Sequence, residues 1–151
     1  MDKKRKVLFL STGNSTRSQM AEAFLTAVAG EHFQPVSAGI DGGEVHPLAL
    51  EVMSEVGLDI SKQKPRTVAE SLKDSYAYAI VVYDPAREHS PIFPFTTKLL
   101  RWNHADPAMA FAAAADKKEV FRRVRDEIRT NVDKFVNETV PQRQAPAAKA
   151  A

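Results

Sequence analysis

Ser11, Thr12, Gly13, Asn14, Ser15, Thr16, Arg17 and Ser18 form a stretch whose residue types and spacing suit anion chemistry. The six small residues from Ser11 to Thr16 leave the backbone accessible, and a guanidinium follows at once. An apolar run at 7–10 precedes them and reads as a short buried strand. A helical pattern follows, with Met20, Ala21, Phe24, Leu25 and Val28 on one face. A strand that turns through small residues into a helix start aims several N–H groups at one point. The unpaired donors and the helix dipole both favour negative charge there. Arg17 adds a planar fork that matches a tetrahedral oxyanion in a bidentate way. The chemistry predicted is capture of a phosphate-type anion.

What can be done to such an anion is limited by one absence. The chain contains no cysteine, which excludes disulfides, thiolate nucleophiles and Cys-ligated metals. A serine hydroxyl at position 11 needs an adjacent general base. Thr12, Asn14, Ser15, Thr16 and Ser18 cannot take a proton usefully. His46 and His89 lie on separate loops, and nothing in the sequence brings either to Ser11. His32, His46, His89 and His104 lack ligand spacing, so no metal site is predicted.

The elements that must position this stretch follow from periodicity. Gly30 and His32 mark a helix stop, and residues 33–38 resume as a strand. His46 and Pro47 open a second helix with its proline at an early position. Leu48, Val52, Met53 and Val56 give it a buried stripe, and Gly57 ends it as a C′ glycine. Residues 62–66 read as a polar segment. Thr67 and Glu70 have capping-box spacing, which predicts a short helix to about Lys73. The apolar run 79–82, within a strand at 76–83, suits a parallel strand covered on both faces. Residues 97–102 are the last predicted strand, with Trp102 in the core. Asp106 and Pro107 have the types of an N-cap and first helical residue. The Ala-rich residues 108–115 form either that helix's first turns or a separate short helix. A long helix over 117–138 faces inward through Val120, Phe121, Val124, Ile128, Val132, Phe135 and Val136. Arg122, Arg123 and Arg125 are expected on its wet face. Strands alternating with helices predict a parallel α/β sheet covered on both faces, whose ligands bind beyond the carboxyl ends of the strands.

At 151 residues with 44% apolar and 26% charged content, the chain fits a single globular domain. We expect it to span residues 1–138, with a tail poor in burial at 139–151. A net charge of +2 is too small an imbalance to predict nucleic acid as a partner. No apolar run reaches the ~18 residues of a membrane span, and the N-terminal pattern does not fit a secretory signal. A cytoplasmic location is expected.

The stretch 11–18 resembles the active loop of the low-molecular-weight protein tyrosine phosphatases and, more closely, of the thioredoxin-coupled arsenate reductases. That family's loop reads Cys-x5-Arg-Ser/Thr, and the same frame here is Ser11, five residues, Arg17 and Ser18. Residues 37–39, His46, Pro47, residues 57–61, residues 91–94, Trp102, Asp106, Pro107 and residues 121–128 are similar to the reductase branch. The resemblance implies a flavodoxin-like three-layer sandwich, four parallel strands in the order 2-1-3-4, and helices on both faces. It implies an oxyanion loop with neither metal nor organic cofactor. Phosphate or arsenate is the implied ligand; a protein partner is not legible.

The departures fall on the chemistry. Ser11 stands at the nucleophile position, and Thr16 stands where phosphatases often carry a second loop cysteine. Tyr83 and Ser90 match the positions of the reductases' two redox cysteines. Asp106 aligns with the general acid; Asp84, by residue type, resembles the phosphatases' acid. Thiol–disulfide exchange needs sulfur at every relay step, so thiol-dependent arsenate reduction is excluded for this chain. The leading expectation is an oxyanion-binding pseudoenzyme, sensor or carrier. The alternatives are a phosphatase or reductase with substituted cysteines and at most weak hydrolysis, or an interaction module with a relic loop.

Overall fold

The computed structural model describes residues 4–11, 16–39, 45–64, 66–71, 73–82, 96–102, 104, 107 and 114–140. Among the described residues the elements run β1 (Arg5–Ser11), α1 (Thr16–Ala29), β2 (Phe33–Gly39), α2 (Pro47–Glu55), β3 (Arg66–Thr67), α3 (Val68–Ser71), β4 (Tyr76–Val81), β5 (Thr96–Arg101) and α4 (Ala114–Thr139). All pairings are parallel, in the order β3-β2-β1-β4-β5. The four longer strands thus follow the expected 2-1-3-4 order. The two-residue β3 is an addition at the edge, where the sequence reads only as a polar segment. It pairs Arg66 with Ala38 and Thr67 with Gly39, a relation that local residue types cannot signal.

β1 is central because it is apolar on both sides. Val7, Leu8, Phe9 and Leu10 are all fully buried, each side chain being worth about 1.5–3 kcal/mol of burial. Val7 and Phe9 join the large core shared with α1, α2 and α4. Leu8 and Leu10 face the other way, onto Ala38, Tyr76, Ala79 and Val81. Tyr76 donates its hydroxyl to the Ser71 carbonyl at 2.8 Å, which ties the end of α3 to that second face. Phe135 of α4 gathers three parts of the first face: its ring lies 5.3 Å from Phe33, 4.9 Å from Tyr78 and 6.3 Å from Trp102. Trp102 is half-buried against this core, as expected.

The helix punctuation follows the residue types. His46 is the N-cap of α2, and its Nδ1 accepts the Leu48 N–H at 3.0 Å. The α2 C-terminus is a Schellman turn. Leu58 N–H donates to the Met53 carbonyl and Gly57 N–H to that of Ser54, both at 3.0 Å. Gly57 adopts φ 82°, which explains why a glycine stands there. The Thr67 hydroxyl accepts the Glu70 N–H at 3.1 Å, and α3 ends at Ser71, short of the expected Lys73. α4 runs over Ala114–Thr139; Asp106 and residues 108–113, on which the expected cap and first turns fall, lie outside the described residues. Val140, just past α4, is buried and its N–H reaches the Val136 carbonyl at 2.9 Å.

Arg125 corrects an expectation. It is buried rather than on the wet face, donating to the Val52 carbonyl at 2.8 Å and to Glu55 at 2.9 Å. Arg122 chelates the same Glu55 carboxylate, with its shortest contact at 2.7 Å; only Arg123 is plainly exposed. These two arginines clip α4 to the C-terminus of α2. No helix among the described residues is long and apolar enough to cross a membrane.

Candidate oxyanion site

β1 delivers Ser11 as its last residue, in register with Gly39, the last of β2. Val82 N–H donates to the Leu10 carbonyl at 2.9 Å, and Trp102 N–H to the Val81 carbonyl at 2.8 Å. The carboxyl ends of β1, β2, β4 and β5 are therefore level, and α1 starts only five positions after Ser11. This is the edge of a parallel sheet where ligands bind.

The start of α1 departs from the one-sided stripe expected for it. Thr16, Arg17, Ser18, Gln19, Met20 and Ala21 are buried in succession. An amphipathic helix does not bury six consecutive residues unless protein surrounds its first turns. Polar side chains there must meet polar partners, because an unpartnered buried group costs about 1–3 kcal/mol. The Ser11 and Ser18 hydroxyls lie 2.8 Å apart with both residues fully buried. Among the described residues, no carboxylate or imidazole hydrogen-bonds Ser11, so no general base for its hydroxyl is in place there. His46, the one described histidine considered as such a base, is engaged as the α2 cap and packs 4.8 Å from the Phe121 ring.

Arg17 is the largest fully buried side chain described, at 1% exposure. A buried cation demands fixed acceptors or an anion. One of its nitrogens, Nη1, donates to the main-chain carbonyl of His104 at 2.8 Å. This anchor is invisible to sequence reading, since a backbone carbonyl carries no residue signature. His104 itself is buried, at 6% exposure. Neither ring nitrogen has a hydrogen bond among the described residues, and Nδ1 stands 3.5 Å from Glu127 Oε1, a pairing distance. Burial pushes the imidazole below the usual histidine range; Glu127 pulls it up, and the Arg17 charge lowers it further.

A second polar link steadies the same helix turn. Gln63 Nε2 donates to Gln19 Oε1 at 2.6 Å and to the Gln19 carbonyl at 3.0 Å. It joins α1 to the segment after α2, another contact with no signal in local sequence. Of the site residues expected from sequence, the structure thus brings Ser11, Thr16, Arg17 and Ser18 to the sheet's carboxyl edge. Thr12, Gly13, Asn14, Ser15, Tyr83, Ser90 and Asp106 lie outside the described residues, as do Asp84 and His89.

Comparison with known proteins agrees with this geometry. Residues 6–145 match the family model for low molecular weight phosphotyrosine protein phosphatase. An arsenate reductase of Halalkalibacterium halodurans is 37% identical over 132 residues, covering 87% of this chain and 95% of the relative. A solved arsenate reductase in the phosphate binding state superposes with a TM-score of 0.75 at 30% identity, covering 89% of this chain and 98% of that one. The Archaeoglobus fulgidus arsenate reductase gives a TM-score of 0.69 at 32% identity, covering 87% and 98%. A parallel sheet with these relatives, ending in a buried Ser11–Arg17–Ser18 edge, has one consistent reading: the chain belongs to the low molecular weight phosphotyrosine protein phosphatase family, alongside its arsenate reductase relatives.

Proposed function

We propose that the chain is a receptor for a phosphate-like oxyanion, bound over Ser11 to Ser18, that performs no thiol chemistry. The observation that carries this reading is the buried Ser11–Ser18 hydroxyl pair together with the buried Arg17 side chain at the start of the same helix. The cation is retained where the family's nucleophile is replaced by a neutral hydroxyl. Exchanging a thiolate for that hydroxyl removes one negative charge, so repulsion against a dianion falls. The main-chain N–H groups of residues 12–18 and the Arg17 fork would hold the ligand, with Thr12, Gly13, Asn14, Ser15 and Thr16 supplying the cradle. The phosphate-bound state of a related arsenate reductase supports the ligand class.

The same reading assigns no reaction to the chain. A hydroxyl nucleophile needs a base, and Ser11 is bonded instead to another hydroxyl. Tyr83 and Ser90, at the positions of the reductases' redox cysteines, cannot relay electrons. Asp106, at the general-acid position, has no leaving group to protonate without an attack. The role proposed is that of a sensor or carrier for phosphate or arsenate in the cytoplasm.

Isothermal titration with phosphate and with arsenate tests this, comparing the unaltered chain with Arg17→Ala. Saturable binding that Arg17→Ala abolishes is expected; no heat at millimolar anion overturns the reading. An aryl phosphate assay tests the second half. Turnover lost in Ser11→Ala would show a serine-dependent phosphatase instead.

A further inference from the structure

His104 is a buried titratable side chain that anion capture as described leaves unused. Its carbonyl holds Arg17 at 2.8 Å, so its backbone is fixed to the cation of the site. Its ring is excluded from solvent, lacks hydrogen bonds at both nitrogens among the described residues, and meets Glu127 only at 3.5 Å. Among the described residues, the charged groups acting on it are Arg17 from α1 and Glu127 from α4. We infer that His104 is a proton-linked positioning residue of the oxyanion site, taking up a proton when a dianion binds beside Arg17.

The physics is a three-charge balance. The imidazole is buried near the Arg17 guanidinium, and both conditions disfavour a second positive charge. Among the described residues, the half-exposed Glu127 carboxylate favours it. A dianion at Arg17 reverses the local sign, so protonation of the nearby ring becomes favourable. Protonation makes both ring nitrogens donors, and Nδ1 faces Glu127 at 3.5 Å. By linkage, whatever raises the proton affinity of His104 on binding raises anion affinity equally as pH falls. For each pH unit by which the anion lifts the ring's titration, affinity gains about tenfold on acidification. The main-chain anchor on Arg17 persists in any side-chain substitution, which separates the charge effect from the positioning of the guanidinium.

This inference rests on the oxyanion reading above, and the experiment separates the two. Sulfate is the probe, because it stays dianionic across the range in which phosphate and arsenate themselves titrate. The His104 ring signal is followed by NMR against pH in the unaltered chain, with and without saturating sulfate. Titration in two buffers of different ionisation enthalpy counts protons, for the unaltered chain, His104→Phe and Glu127→Gln. The expected result is a higher ring titration point with sulfate, fractional proton uptake, and, in His104→Phe, loss of that uptake together with loss of the strengthening of sulfate binding on acidification. Glu127→Gln should move the uptake to lower pH. Sulfate binding that leaves the ring's titration unchanged, or uptake that persists in His104→Phe, overturns the role of His104 alone. An absence of any sulfate binding to the unaltered chain overturns the oxyanion reading, and this inference with it. The ring titration requires no variant, so a failure of His104→Phe to fold leaves the decision intact.

Discussion

The hydroxyls of Ser11 and Ser18 stand 2.8 Å apart, both fully buried, joining the last residue of β1 to the first turn of α1. The contact ties strand to helix across the turn that defines the site. Either oxygen can donate, and burial makes each depend on its partners. Ser18→Ala should lower stability by about 1 kcal/mol or more, because it leaves a buried hydroxyl short of a partner. The double variant Ser11→Ala/Ser18→Ala should cost less than the sum of the singles, with a coupling of about 0.5 kcal/mol or more in a denaturant-unfolding cycle.

Restoring sulfur at position 11 should restore reactivity without restoring a reductase. In Ser11→Cys the thiol would sit against Ser18 in the first turn of α1, and a helix N-terminus favours the thiolate. Its alkylation rate should titrate below the ~8.5 of a free cysteine. Thioredoxin-coupled arsenate reduction should stay absent, because a chain whose single cysteine is at position 11 has no second thiol to relay a disulfide.

Arg17→Lys separates charge from shape. A lysine keeps the positive charge but loses the planar fork that serves the His104 carbonyl and, in the function proposed, a tetrahedral anion as well. Phosphate affinity should fall about tenfold or more, equivalent to one lost charge-assisted hydrogen bond, with the fold retained. Calorimetry alongside circular dichroism checks both halves.

Acid should loosen the clip between α2 and α4. Hydrogen bonds from Arg122, and then Arg125, hold Glu55 at a pKa of about 2, against the opposing effect of desolvation. A carboxylate depressed in the folded state stabilises above its unfolded pKa and loses that contribution as pH falls through its folded pKa. The loss therefore runs from about pH 4.5 down to about 2. Glu55→Gln should flatten the fall in stability over that window, and added salt should shrink the difference because the carboxylate is a third exposed.

Gly57→Ala tests the backbone rather than a contact. A Cβ at this position would meet no atom within 4 Å, so sterics with neighbours are not at issue. The φ of 82° is, and an L-residue there should cost about 1–2 kcal/mol in unfolding free energy. Gly57→Asn should recover part of that loss.

Much of this molecule was legible because its signals are local. The apolar run at 7–10 specifies a strand buried on both faces, His46, Pro47 and Gly57 punctuate α2, and the 3.6-residue stripe from Phe121 to Val136 specifies the inner face of α4. The absence of cysteine, also a property of sequence alone, excludes thiol chemistry before any coordinate is known. What only tertiary structure decided are relations between distant residues. The pairing of Arg66 and Thr67 with β2 depends on two strand ends meeting. The burial of Arg125 had a local trace, since it lies four residues past Phe121 at the edge of the stripe. Its reason to be there is the Val52 carbonyl left open by the end of α2. The anchoring of Arg17 by a main-chain oxygen 87 positions away carried no trace at all. A backbone carbonyl is the same atom in every residue, so only the fold could select the one at His104.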